Sequence, residues 1–150
     1  KQLVLCDWAD RTNRAAIDER VSKGLKSIYR EEESEITLQA KSQIEEYATG
    51  KRLSFELDFR MVGTDFQKSV WEQLMKIPYG TTLSYKSLAD KMNNPKAIRA
   101  IASANGANAL SLIIPCHRVI GSDNSMTGYA GGITAKEELL KREGILLNKQ

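Results

Sequence analysis

The chain has 150 residues, 41% hydrophobic and 27% charged, the proportions of one ordinary globular domain or two small ones. No apolar stretch nears the roughly 20 residues that span a bilayer, and Lys1–Trp8 is too short and polar for a signal peptide, so a cytoplasmic protein with no membrane association is expected. The net charge of +3 is uneven: residues 1–60 hold 11 Lys+Arg and 12 Asp+Glu, residues 61–150 hold 11 and 7, and a basic half suits an anionic partner.

In chain order, KQLVLCDW (1–8) reads as a strand, and the charged stretch through Arg11–Arg20 shows little pattern. Ile36, Ala40, Ile44 and Tyr47 recur at helical spacing, which predicts a helix over 36–49 stopped by Gly50. LSFELDFRM (53–61) alternates apolar and polar residues, the pattern of a half-buried strand. The pattern changes near 61–63, which predicts a small α/β domain over 1–61 and a second domain over 62–150. Thr64 and Gln67 form a capping box ahead of the stripe Phe66, Val70, Leu74 and Ile77. PYGT (78–81) is a turn. Ser84 can cap the next helix, whose Tyr85, Leu88, Ala89 and Met92 share a face. Asn94 can cap a helix with Pro95 at its first position, running to about Ala104. These two short helices match a helix-turn-helix. Thr134 and Glu137 form another capping box, and that helix ends at Gly144.

On a helical wheel, Ile98, Ile101 and Ala102 form the inward stripe of the 95–104 helix. Lys96, Arg99, Ala100 and Ser103 fall on another face, basic and otherwise small. Small side chains let a helix approach a nucleic-acid groove, and a lone arginine can reach phosphates or enter the base stack. An ordinary solvated face fits the same pattern.

IIPCHRVIG (113–121) sets one of two cysteines beside the single histidine. Two distant cysteines do not make a disulfide framework, and two Cys with one His fall short of the four ligands of a structural zinc site, so no metal is expected. Cys116 is then a nucleophile or an inert core thiol. A nucleophilic thiol needs a base, and His117 can serve only if the pair sits on a turn. Glu143 shares a helical stripe with Lys136, Leu139 and Leu140, so it is a partly buried carboxylate that can orient the histidine or pair with Lys136 or Arg118.

PCHRVIG, followed by GYAGG (128–132) and KEELLKREG (136–144), resembles the O6-alkylguanine-DNA alkyltransferase family, also called methylated-DNA–protein-cysteine methyltransferases. The likeness extends back through NGAN, NPKAIRA, TLSYKSLA, IPYG and GTDFQKSVWEQL, covering residues 62–144. It implies a ribonuclease-H-like α/β N-terminal domain and a mainly helical, winged-helix-like helix-turn-helix C-terminal domain. The function implied is repair of O6-alkylguanine in double-stranded DNA by one irreversible transfer of the alkyl group to the protein. On this resemblance Cys116 is the acceptor, His117 deprotonates it through water, and Glu143 orients His117. Asn108 holds the active-site turn, and Tyr85 hydrogen-bonds the departing guanine. Arg99 fills the gap left by the flipped nucleotide, and Lys96, Ala97, Ala100, Ser103 and Tyr85 contact the DNA from the minor groove. Val119, Tyr129 and Ala130 line the base pocket, with Ser111, Met126 and Thr127 near its walls and rim. A monomer with no cofactor is implied.

The chemistry is coherent: the base must leave the duplex before its alkyl carbon can be attacked, and a hydrogen-bond donor on the leaving guanine lowers the barrier. The alternative within the family is a non-repairing sensor of alkyl lesions, against which Cys116 argues. A redox-sensing regulator and a cysteine hydrolase are further alternatives. The first lacks a dimerisation segment, and the second gives Arg99 on its small basic face no purpose.

Overall fold

The computed structural model describes residues 1–123 and 128–145. Met126 and Thr127, expected at the pocket rim, and the last five residues of the expected 62–150 domain lie outside the described residues.

The charged stretch with little pattern is a helix, α1 (Arg14–Leu25). Only Ile17 and Val21 are buried along it, and Asn13 precedes it in a left-handed conformation with no side-chain cap. Neither apolar period nor cap marked it. Local ion pairs support it instead, Arg14–Asp18 (2.9 Å) and Lys23–Glu19 (2.8 Å), both at i,i+4 spacing. Helix α2 (Glu35–Ala48) lies where the apolar spacing placed it, with Ser34 and Thr37 closing a reciprocal capping box.

The two expected N-terminal strands are extended segments with little pairing. Residues 53–61 do alternate, with Phe55, Leu57, Phe59 and Met61 half-buried and Ser54, Glu56, Asp58 and Arg60 exposed, although Leu53 is exposed. Their pairing to the first segment is one parallel bridge, Leu3 to Phe59. A second bridge joins Cys6 to Leu110. The first eight residues thus run between the 53–61 segment and the loop that leads to Cys116, so one segment serves two partners and builds a ladder with neither.

In the C-terminal part, Thr64 and Gln67 form the expected capping box for α3 (Asp65–Leu74), which buries Val70, Trp71 and Leu74. A short strand β1 (Leu83–Ser84) leads into α4 (Tyr85–Lys91), capped by Ser84, whose Oγ accepts from the Ser87 N–H at 3.0 Å. Helix α5 covers Ile98–Gly106, later at both ends than expected. Asn94 does not cap it: Asn94 and Pro95 form a turn closed by the Ala97 N–H on the Asn94 carbonyl (3.0 Å). The fixed φ of proline suits a turn as well as a first helical residue. The late start also leaves Ile98 outside the core at 38% exposure, whereas Ile101 and Ala104 are buried.

A single 3₁₀ turn (Cys116–Arg118) runs directly into β2 (Val119–Ile120), which pairs in parallel with β1, Leu83 opposite Val119 and Ser84 opposite Ile120. Helix α6 (Ile133–Arg142) starts after Gly132, so the expected Thr134–Glu137 capping box does not form and Thr134 lies inside the first turn. Gly144, at φ 83°, ends this helix where an L residue would be strained. The chain is mostly helical with a small parallel sheet, and its main core joins Trp71, Leu74, Leu88, Ile101, Leu110, Ile114 and Val119.

Candidate active site

The β1–β2 pairing positions the site. It lays the start of α4, and so Tyr85, beside the turn that carries Cys116 and His117. Asn105, near the end of α5, joins the two: its Nδ2 donates to Tyr85 Oη (3.3 Å) and to the Cys116 carbonyl (3.4 Å). Asn108 accepts the Leu110 N–H on its Oδ1 and donates from Nδ2 to the Ile114 carbonyl, both at 2.9 Å. Within this loop Leu112 takes φ 72°, a left-handed conformation that costs a leucine about 1–3 kcal/mol and occurs where surrounding contacts over-determine the backbone. The loop is thus pinned immediately ahead of Cys116.

Cys116 is buried at 3% exposure and His117 at 0%. His117 Nε2 lies 2.6 Å from Glu143 Oε2. The Glu143 carboxylate also receives Arg118 through Nε (2.7 Å) and Nη2 (3.2 Å), Tyr47 Oη (2.6 Å) and the Gly80 N–H (3.3 Å). Burial alone would raise its pKa, but these donors hold it down at about 2. Glu143 is therefore ionised and accepts only, which puts the proton of a neutral His117 on Nε2. His117 Nδ1 is buried with no hydrogen-bond partner among the described residues. Burial lowers the His117 pKa against the pull of Glu143, which keeps the imidazole neutral and Nδ1 an acceptor.

Burial pushes the Cys116 thiol up, opposed by a hydrogen bond from Asn108 and by the charges of Arg11 and Lys136. Lys136 is itself fully buried. Its Nζ donates to the Val119 carbonyl (2.6 Å), and burial lowers its pKa to about 8. Tyr85 is held neutral, first by burial and then by Cys116.

The expected pocket residues divide. Tyr129 and Ala130 line a cavity of about 410 Å³ together with Arg11, Arg20, Ser103 and Gly106. Val119 is completely buried. Tyr129 Oη accepts from Trp8 Nε1 (2.9 Å), and their rings meet edge to face. On the outer face of α5, Arg99, Ala100 and Ser103 are all exposed, whereas Lys96, expected on that face, lies in the turn ahead of the helix, where it is also exposed, and Ala97, the half-buried N-cap, follows it. Sequence reasoning missed Tyr47, Asn105, Arg11 and Trp8, and it left Arg118 and Lys136 only as possible partners of Glu143. Of these, Lys136 gave a signal as a lysine on an apolar stripe, and Asn105 and Arg118 stand in the NGAN and PCHRVIG motifs, whereas Tyr47, Arg11 and Trp8 gave no sign of a place in the site.

These features define a class: a helical domain in which a buried cysteine, a neutral histidine and an ionised glutamate stand behind a helix pair with a small, basic outer face. Residues 65–145 match the family model of the 6-O-methylguanine DNA methyltransferase DNA-binding domain, and the chain belongs to that family. It is 53% identical over 105 residues to the methylated-DNA–protein-cysteine methyltransferase of Methanosarcina barkeri, covering 70% of this chain and 66% of that one, just under two thirds of its length. It is 38% identical over 136 residues to the constitutive methyltransferase of Bacillus subtilis, covering 89% of this chain and 82% of that one. Among solved structures it resembles Mycobacterium tuberculosis OGT in complex with DNA, with a TM-score of 0.69 and 45% identity over 71% of this chain and 66% of that one.

Proposed function

We propose that this protein repairs O6-alkylguanine in double-stranded DNA by transferring the alkyl group irreversibly to Cys116. The observation that carries this reading is the orientation of His117: Glu143 fixes Nε2 and leaves Nδ1 as a buried acceptor on the turn that also holds Cys116. His117 takes the thiol proton through water. The thiolate attacks the alkyl carbon, the S–C bond forms, and the C–O bond breaks with its electron pair going to guanine. Tyr85 stabilises that charge. Its oxygen already accepts from Asn105, so its own hydrogen is free to donate. Guanine takes up the proton that cysteine lost. The thioether has no easy hydrolysis route, so each molecule acts once.

On the same reading Asn108 sets the turn, Val119, Tyr129 and Ala130 enclose the flipped base, and Arg99 replaces it in the duplex. Lys96, Ala97, Ala100 and Ser103 follow the minor groove, where the small exposed face of α5 permits close approach. The protein is read as a cytoplasmic monomer without cofactor. Its expected ribonuclease-H-like domain (1–61) and winged-helix-like domain (62–150) belong to the same proposal, supported by α2 with the Leu3–Phe59 bridge and by the α4–α5 pair. The test is digestion of a lesion duplex after incubation with wild type and with Cys116→Ser. Restored guanine in amounts equal to the wild-type protein, and none with the variant, is expected. Tight binding with the lesion intact would replace this reading with the non-repairing sensor.

A further inference from the structure

The last carbonyls of a helix have no partner inside it. At the end of α5 the carbonyls of Gly106, Ala107 and Asn108 are covered by arginines from the first twenty residues. Arg11 donates through Nη1 to the Asn108 carbonyl (2.8 Å) and through Nη2 to that of Gly106, and Arg20 donates through Nη2 to that of Ala107 (2.7 Å). Arg11 has a side chain only 4% exposed, and it is anchored by the fully buried Asp7 (3.1 Å). Asp7 in turn follows Cys6, whose backbone donates to Ala109 (2.8 Å) and accepts from Ser111 (2.7 Å).

Beyond Arg11 the path continues. The Asn108 side chain donates to the Ile114 carbonyl (2.9 Å), which also receives the Cys116 N–H (2.8 Å). A continuous line of hydrogen bonds therefore joins Asp7, Arg11, Asn108, Ile114 and Cys116. A guanidinium fork can serve two carbonyls and a carboxylate together, whereas an ammonium is a point charge without that fixed geometry. A cation at a helix C-terminus is also favoured by the helix dipole.

We propose that Arg11, anchored by Asp7, is a positioning residue for Cys116: it fixes the Asn108 turn that sets the nucleophile and supplies a fixed positive charge on that side of the thiol. The role rests on Cys116 being the acceptor of the proposed reaction. The direction of the charge effect agrees, since Arg11 opposes the upward push of burial on Cys116. The other groups around the thiol are Tyr85 from α4, His117 and Arg118 from its own turn, Tyr129 from the 128–132 segment, Lys136 from α6, and Glu143, the residue that caps the end of α6. None of these is a hydrogen-bond partner of Arg11, whose guanidinium donates to Asp7, Gly106 and Asn108, and Arg11→Lys separates the charge from the fork.

The experiment compares wild type, Arg11→Lys and Arg11→Met in two reactions across pH. One is alkyl transfer from a lesion duplex. The other is alkylation of Cys116 by iodoacetamide, read by peptide mapping to separate it from Cys6. Arg11→Met is expected to move the midpoint of iodoacetamide reactivity alkaline by on the order of one pH unit, about a tenfold loss at neutral pH. Arg11→Lys is expected to keep the midpoint and to slow duplex transfer, because it keeps the charge and loses the fork. A lower melting temperature with wild-type midpoint and rates in both variants would overturn the proposal. If Arg11→Met does not fold, Arg11→Lys decides: slowed transfer with the midpoint kept supports it, and wild-type kinetics overturn it. If wild type reacts with iodoacetamide but not with the duplex, the repair reading fails, while the iodoacetamide midpoints still decide the charge role of Arg11.

Discussion

Glu143 is the residue on which most donors of the site converge, from Tyr47, Gly80, His117 and Arg118. Glu143→Gln leaves the Arg118 guanidinium buried without its charge partner, a loss of about 3–5 kcal/mol measurable by urea unfolding. The pH dependence follows from the depressed carboxyl. With a folded pKa of about 2 against an ordinary value near 4.5, its stabilisation is complete above about pH 4.5 and is lost as pH falls toward 2. Wild type should lose stability over that window, and Glu143→Gln should lose less. Tyr85→Phe removes one donor from the leaving guanine, so single-turnover transfer should fall about 10²–10³-fold with duplex affinity retained. Unchanged transfer would exclude Tyr85 from the reaction. Cys116, His117 and Glu143 were legible as candidates because their chemistry restricts residue type, whereas Asn108 and Tyr85 were named only through the family resemblance. Arg11 and Tyr47 were not legible. They are ordinary residues in the first third of the chain, and what places them at the site is tertiary packing over 97 and 96 positions.

At the level of elements, α5 carries two duties. Its inner face packs on α3, where Trp71 Nε1 donates to the Ala104 carbonyl (2.8 Å), and its outer face presents Arg99, Ala100 and Ser103. The two are separable. Ala100→Tyr adds bulk to an exposed position and should leave the melting temperature close to wild type. It should weaken lesion-duplex binding and slow transfer from duplex, while transfer from the free alkylated base stays unchanged. Equal slowing with both substrates would place the defect in the active site and count against α5 as the DNA-facing helix. Apolar period located this helix, but its ends were misplaced because the signals used, Asn94 with Pro95, serve a turn equally well. Thr134 and Glu137 misled in the same way, since Gly132 starts α6 earlier. The capping boxes at Thr64 and the cap at Ser84 held, each directly ahead of a helix whose apolar stripe begins at once.

Across the whole molecule, the N-terminal segment completes the site. Leu3 and Cys6 bridge to both neighbouring segments, Arg11 covers the end of α5, and Trp8 packs against Tyr129 and Gly131. A Cβ on Gly131 would stand 2.6–2.8 Å from ring atoms of Trp8. Gly131→Ala should therefore cost about 1–3 kcal/mol through overpacking, seen as a lower melting temperature, and Trp8→Ala in the same chain should recover part of that loss. This dependence was not legible, because a glycine in GYAGG and a tryptophan in KQLVLCDW give no sign that they touch. The central claim, that one alkyl group passes to Cys116 and stays there, is itself a statement about the mass of the whole molecule. The most direct measurement is intact-protein mass spectrometry with peptide mapping after incubation with excess duplex bearing one O6-methylguanine. The account predicts one methyl group per protein, carried by Cys116 and never exceeded. Complete lesion binding with unchanged protein mass, or repair of more lesions than there are protein molecules, would contradict it.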